Sequence, residues 1–291
     1  MNAATRTDDL HEAVLSWYAE NARELPWRSP DATPWGVLVS EIMLQQTPVS
    51  RVLPVYEAWM EAWPTPKDLA TEAPGEAVRA WGRLGYPRRA LRLHASAVAI
   101  CERHDGEVPS DIDALRALPG IGDYTAAAVA SFAFGQAHPV LDTNVRRVLE
   151  RIIGGTEFPP ASLTKAERER AAGLLPREQA PAWSVGVMEL GALVCTAASP
   201  RCADCPLSEH CAWNRSGRPA YDGPPRKGQT YAGTDRQCRG RLLAVLRDAP
   251  GSVNAAALVE AWSLDDQRDR ALASLLEDGL VVREDDRYRL P

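Results

Sequence analysis

The chain has 291 residues, 45% of them hydrophobic and 25% charged, with a formal net charge of −6. That length and apolar content support a real core in one large domain or in two to three smaller ones. The negative balance argues against a generic polyanion binder, whose footprint would be a basic domain. The charge is nevertheless uneven. Residues 79–103 carry six arginines against Glu102, whereas residues 242–291 carry ten acids against six arginines. A focused basic face with an acidic tail is compatible with nucleic acid.

The polar start, Met1 to Glu12, has no apolar stretch of the signal-peptide kind, and no apolar run reaches membrane-spanning length, so a cytoplasmic protein is expected. Apolar residues then recur at helical spacing in Leu10–Tyr18, Val37–Gln46, Val49–Trp63, Ala77–Leu84, Ala90–Ile100, Tyr124–Phe134 and Val145–Ile153. Gly85, Gly106 and Gly135 stand where helix C-caps belong. No strand-like alternation occurs before the last segment, so the fold class is all-α. Glu41 lies inside the second of these helices. On the solvated side it would do nothing special; partly desolvated, its carboxyl would hold a proton near neutral pH and could deliver it.

Between two helical stretches, Leu118-Pro119-Gly120-Ile121-Gly122-Asp123-Tyr124-Thr125 makes a glycine turn followed by a helix start. It reads either as a plain helix–helix turn or as a backbone N–H site for a DNA phosphate, with Asp123 an awkward neighbour for an anion. Asp142 precedes the next helix, as an N-cap or as a carboxylate able to stabilise a cationic sugar transition state. Cys195, Cys202, Cys205 and Cys211 follow with a C-x6-C-x2-C-x5-C spacing that suits structural zinc or an iron–sulfur cluster. Cys101 and Cys238 read as inert thiols. A Gly-, Pro- and polar-rich stretch marks a linker over residues 214–236. Beyond it, helical patterns in Arg241–Arg247, Ala255–Trp262 and Asp269–Glu277 precede a hairpin turning at Asp285-Asp286, a winged-helix-like module.

The glycine hairpin, the Asp shortly after it and the cysteine cluster together resemble the endonuclease III superfamily of base-excision DNA repair glycosylases. Within it, Leu25-Pro26-Trp27-Arg28, Ser40-Glu41-Ile42-Met43-Leu44-Gln45-Gln46-Thr47 and Leu141-Asp142-Thr143-Asn144-Val145-Arg146-Arg147-Val148 are similar to the MutY-type adenine glycosylases, in order over about residues 8–215. The resemblance implies an iron–sulfur helical domain from residues 1–27 and 139–213, a six-helix domain over 28–138, and a catalytic site in the cleft between them. It implies that Glu41 protonates the adenine, that Asp142 stabilises the sugar cation, and that Asn144 orients the catalytic groups. Tyr124 would sit beside them, where strand-nicking relatives carry a nucleophilic Lys, so the enzyme would be monofunctional. Arg23, Leu25, Trp27 and Arg28 would line the base pocket. Gln46 would wedge into the duplex, with Tyr86, Gly120, Ile121, Gly122 and Arg201 on the DNA-binding face. The four cysteines would hold a [4Fe–4S] cluster. The partner would be double-stranded DNA with adenine opposite 8-oxoguanine or guanine, bound by a monomer.

Three departures accompany the likeness. Pro87 stands where many members have a second Tyr, and Val185 where many carry Gln or Glu. The module over 237–291 is too short for the usual nudix-like domain that reads 8-oxoguanine, so a reduced preference between 8-oxoguanine and guanine is expected. The competing readings are a thymine-mismatch or oxidised-pyrimidine glycosylase on the same scaffold, against which Tyr124 and Gln45-Gln46-Thr47 speak, and a non-catalytic DNA-binding iron–sulfur module, which would need neither Glu41 nor Asp142.

Overall fold

A computed structural model describes residues 3–224 and 231–291; the expected linker over 214–236 includes residues 225–230, which lie outside the described residues. The order is α1 (Ala3–Asn21), a 3-10 turn (Pro26–Arg28), α2 (Pro34–Met43), α3 (Val49–Ala62), α4 (Pro66–Ala70), α5 (Pro74–Trp81), α6 (Arg88–Arg103), α7 (Ile112–Arg116), α8 (Asp123–Phe134) and α9 (Thr143–Leu149). A π-turn (Glu150–Gly154) continues α9, followed by α10 (Lys165–Leu174), α11 (Ala180–Leu193), a 3-10 turn (Cys202–Asp204) and α12 (Ala212–Arg215). The C-terminal part is α13 (Asp235–Asp248), β1 (Val253–Asn254), α14 (Ala255–Ala261), α15 (Asp265–Glu277), β2 (Val282–Glu284) and β3 (Arg287–Arg289). No described helix is long and apolar enough to cross a membrane.

Every helix expected from periodicity is present. Periodicity did not reveal α10 or α11. Helix α11 is apolar around its circumference, burying Trp183, Val187, Leu190 and even Glu189, so it has no stripe to detect. Helix α10 carries a different signal. Thr164 accepts from the Glu167 N–H while the Glu167 carboxylate accepts from the Thr164 N–H, a capping box legible as T-x-x-E.

The chain divides into two compact units. The first joins the segment ending at Ala32 to the segment that begins at Gly122, and so holds α1 and α8–α12. Its core packs Leu10 and Val14 of α1 against Val145 and Val148 of α9 and Val187 and Leu190 of α11. The second unit takes in Thr33–Pro109, Asp113–Ile121 and the C-terminal part. Its centre is aromatic: Trp59 meets Trp63 edge-on at 4.7 Å and Trp81 at 5.8 Å, and such pairs add about 1 kcal/mol beyond their area burial.

The C-terminal part has the winged-helix form expected of it. Helices α13–α15 pack together, and β3 lies between β1 and β2 in an antiparallel sheet, with Val253 and Arg283 both opposite Tyr288. The hairpin turns at Asp285, whose φ of +52° places it in the left-handed region that Asp tolerates. Strand β1 is two residues long, too short for alternation to announce it. The module docks on the helices of its own unit. Arg79 donates to the carbonyls of Leu246, Arg247 and Ala249 at the end of α13. The Gly75 N–H donates to the Pro291 carbonyl at 2.8 Å, and Arg88 and Arg239 share the Asp278 carboxylate.

Candidate active site

Asp142 caps α9. Its Oδ1 accepts from the Val145 N–H at 2.6 Å and its Oδ2 from the Asn144 amide at 2.9 Å. Half-buried, the carboxyl is pushed above the ordinary Asp range by desolvation, which these two hydrogen bonds and the Arg147 charge only partly offset. Arg147, which the sequence did not single out, fixes the Asn144 amide. Its Nη2 donates to Asn144 Oδ1 and to the Gly191 carbonyl, both at 2.8 Å, so the Asn144 NH2 must face Asp142. A Cβ on Gly191 would lie 2.7 Å from Asn144 Cβ, so α11 presses on the start of α9 where only glycine fits. The N-cap and the candidate cation stabiliser are therefore the same carboxylate.

Glu41 is buried, as are its neighbours throughout α2 from Trp35 to Met43. The helix ends in a turn that places exposed Gln46 at a φ of +55°. A second turn, before α6, places exposed Tyr86 at +49°. Bulky residues pay for that conformation, and something must hold them in it. The holder is Arg89, again missed in the sequence. Its guanidinium donates to the carbonyls of Ile42, Met43 and Gln45, to Thr47 Oγ1 and to the Gly85 carbonyl, at 2.6–3.2 Å. It also lies 5.3 Å from the Trp81 ring and 5.4 Å from the Tyr86 ring. Burial brings it down to about 10, still charged at neutral pH. One buried cation thus caps the negative end of the Glu41 helix and ties both strained turns to it. The only sequence signal was an Arg among apolar positions of an amphipathic helix.

Three of the four expected pocket residues, Arg23, Leu25 and Arg28, line an open hollow with Tyr18; Trp27 is buried beside it. Both arginines are engaged by Glu189 of α11. Arg23 Nε and Nη2 donate to its two oxygens at 2.6 and 2.7 Å, and Arg28 Nη1 lies 2.9 Å from Oε2. Burial alone would raise the Glu189 carboxyl, but the Arg23 hydrogen bonds and the Arg28 charge outweigh it and hold it low. This triad orders the 3-10 turn that carries Leu25 and Trp27. Burial raises the Tyr18 hydroxyl, against the Arg28 charge. Val185 is half-buried on α11, and Pro87 opens α6.

In the glycine hairpin, Gly120 has a φ of +78° and a Cβ there would meet Arg92 at 2.7 Å, so the turn requires glycine. Gly122 has a φ of −98° with nothing within 4 Å of an added Cβ, so the fold does not demand glycine there. As a glycine it offers no side-chain cap to the start of α8. The Ile121 side chain is buried and its N–H donates to Leu118, so it shapes the turn rather than facing outward. Tyr124 is half-buried in the first turn of α8.

The four cysteines line one cavity with Val148, Arg151 and Trp213. None of them is in a disulfide. Burial first, then the neighbouring thiols, push Cys205 up to about 12, so four thiolates can coexist there only against a compensating cation. Among the described residues no group of three or more Cys, His, Asp or Glu side chains stands close enough to grip a single ion. Arg151, fully buried, donates to Cys195 Sγ at 3.2 Å and the Thr196 carbonyl at 2.8 Å and stacks 4.6 Å from Trp213. Arg147 donates to the Cys195 carbonyl at 2.8 Å, so one guanidinium joins the cysteine loop to the Asn144–Asp142 pair. Exposed Arg201 donates to the Leu193 carbonyl and sits 3.7 Å from Asp204.

Residues 39–172 match the family of HhH-GPD superfamily base excision DNA repair proteins. Solved structures agree on the fold and class: a thermostable thymine-DNA glycosylase is 27% identical with a TM-score of 0.67, covering 73% of this chain and 98% of that one. A non-covalent endonuclease III–DNA complex is 25% identical with a TM-score of 0.63, covering 75% and 99%. The chain is thus a base-excision DNA glycosylase of the helix-hairpin-helix class, and DNA is its partner. An adenine DNA glycosylase of Mycobacterium tuberculosis (strain CDC 1551 / Oshkosh) is 54% identical over 281 residues, 96% of this chain and 92% of that protein. A human adenine DNA glycosylase is 40% identical over 208 residues, 68% of this chain but 38% of that protein. Within its class, the chain belongs to the adenine DNA glycosylase family.

Proposed function

We propose that this protein is a monomeric, monofunctional enzyme that hydrolyses the N-glycosidic bond of adenine opposite 8-oxoguanine or guanine in double-stranded DNA. The observation that carries the reading is Asp142, a desolvated carboxylate aimed by Asn144 and Arg147 rather than left to water. An ionised carboxylate so held stabilises the positive charge that grows on the sugar as the base departs. Glu41, buried on α2, supplies the proton that makes adenine a better leaving group. Tyr124 offers no amine for a covalent adduct, so water completes the reaction and the abasic strand stays intact. Reaching the base requires extruding it from the stack, at an unstacking cost of a few kcal/mol. The glycine hairpin of Gly120 and Gly122 and the turns bearing Gln46 and Tyr86 would supply the offsetting contacts. Arg23, Leu25, Trp27 and Arg28 would form the pocket wall, with Glu189 fixing the two cations. Cys195, Cys202, Cys205 and Cys211 fit a [4Fe–4S] cluster, which would clamp the loop carrying Arg201.

The test is single-turnover base release from duplexes bearing one defined mispair, at fixed salt, followed by alkali. Adenine release from pairs with 8-oxoguanine and guanine is expected, with strand breakage only after alkali. Glu41→Gln and Asp142→Asn should each cut the rate by at least about a hundredfold with DNA binding largely retained. Thymine release from a G:T pair in place of adenine, or a borohydride-trapped enzyme–DNA adduct in good yield, would overturn the reading.

A further inference from the structure

Tyr86 and Tyr231 are the two exposed aromatic side chains among the described residues, at 41% and 52%. They are not apart. The guanidinium of Arg236 lies 4.8 Å from the Tyr86 ring centre and 5.7 Å from that of Tyr231. On the Tyr86 ring, Arg89 adds a second guanidinium at 5.4 Å. Tyr86 belongs to the turn before α6, whereas Tyr231 and Arg236 belong to the approach and first turn of α13, so two distant segments build one stack.

Docking of the C-terminal module does not explain it. The Arg79 hydrogen bonds, the Gly75–Pro291 bond and the Arg88–Asp278–Arg239 ion pairs already fix the module, and an exposed cation–π contact adds little. Packing does not explain it either, since both rings stay open to solvent and Tyr86 is held in a costly backbone conformation that keeps it so. The module is acidic over residues 242–291, yet its first helix opens with Arg236, Arg239 and Arg241 against Asp235 alone.

We propose that Tyr86, Arg236 and Tyr231 form a stacking platform for DNA bases left unstacked where the enzyme opens the duplex, and that the C-terminal module exists in part to complete it. Planar rings and a guanidinium between them present π-faces to any base, which suits a sequence-tolerant contact with an opened stack. The proposal rests on the protein being a base-flipping glycosylase, and extends the DNA face to two residues of the module, Tyr231 and Arg236.

The test compares affinity for two duplexes of equal length, one fully paired and one with a non-cleavable abasic analogue opposite guanine, by fluorescence anisotropy. Tyr231→Ala and Arg236→Ala should each weaken binding of the gapped duplex about tenfold. The paired duplex should change by less than about twofold, with an unchanged melting temperature, and Tyr231→Phe should bind as the parent does. Arg241→Ala, a simple loss of charge, should weaken both duplexes alike. Equal losses on both duplexes for Tyr231→Ala and Arg236→Ala, or no loss on either, would overturn the platform. Adenine release is scored separately: a parent that discriminates the gapped duplex through Tyr231 but frees no adenine keeps the platform and refutes the adenine reading.

Discussion

At the scale of single residues, the site depends on polar groups whose partners lie far away in sequence. Asp142 reads as a helix cap from its neighbours alone; what makes it more is a carboxyl raised by burial and steered by Asn144, itself locked by Arg147. This gives a pH prediction with a definite sign. In its proposed role Asp142 acts as the carboxylate, so base release should fall as pH drops through the folded-state value, with a midpoint above the ordinary 3.8 of Asp. Asn144→Ala removes a hydrogen bond that favours the charged form, so the acid limb should move to higher pH, beyond any fall in the plateau rate. Single-turnover rates across pH measure this, and a limb that stays in place would remove Asp142 as the titrating group.

Among the elements, the cysteine loop and α9 act together. Arg151 holds Cys195 from within the core, and Arg147 reaches from the Cys195 carbonyl to Asn144, so the loop's geometry is passed to Asp142. The spacing of the cysteines left zinc and an iron–sulfur cluster both open, and the common cavity brings all four thiols together; the proposed cluster makes a direct prediction. Purified protein should be brown, with iron and acid-labile sulfide in equal amounts. Cys205→Ser should lose most of the iron and at least about tenfold of the base-release rate, because the path from the loop to Asp142 is short and buried. Colourless protein with stoichiometric zinc and full activity would rule the cluster out.

For the whole molecule, the C-terminal module is bound into the unit that carries Glu41 rather than trailing from it. Its tail runs close to α5: a Cβ at Gly75 would come within 2.4 Å of the Pro291 carbonyl and 2.9 Å of Leu290 Cβ. Gly75→Ala should therefore lift the tail at an overpacking cost of about 1–3 kcal/mol, with α5 intact. Limited proteolysis should then cut within residues 235–291 at least about fivefold faster than in the parent. Unchanged cleavage would show that the Arg79 and Asp278 contacts hold the module without the tail.

The sequence by itself determined the helices that carry an amphipathic stripe, because such a stripe is a local pattern, and it carried the family likeness in short contiguous motifs around Glu41, Gly120 and Asp142. It also specified the hairpin of the last segment, since Asp285-Asp286 is a turn between two short strand-like runs. Only the tertiary structure decided the roles of Arg89, Arg147, Arg151 and Glu189. Each is a buried charge, and a charge is tolerable in a core only where the fold gathers enough partners around it. Those partners come from segments up to 166 residues away, as Glu189 does for Arg23, and no local pattern encodes such a pairing. The same reason hid the stack of Tyr86, Arg236 and Tyr231: it forms where two separate turns meet, which is a property of packing and not of either turn's sequence.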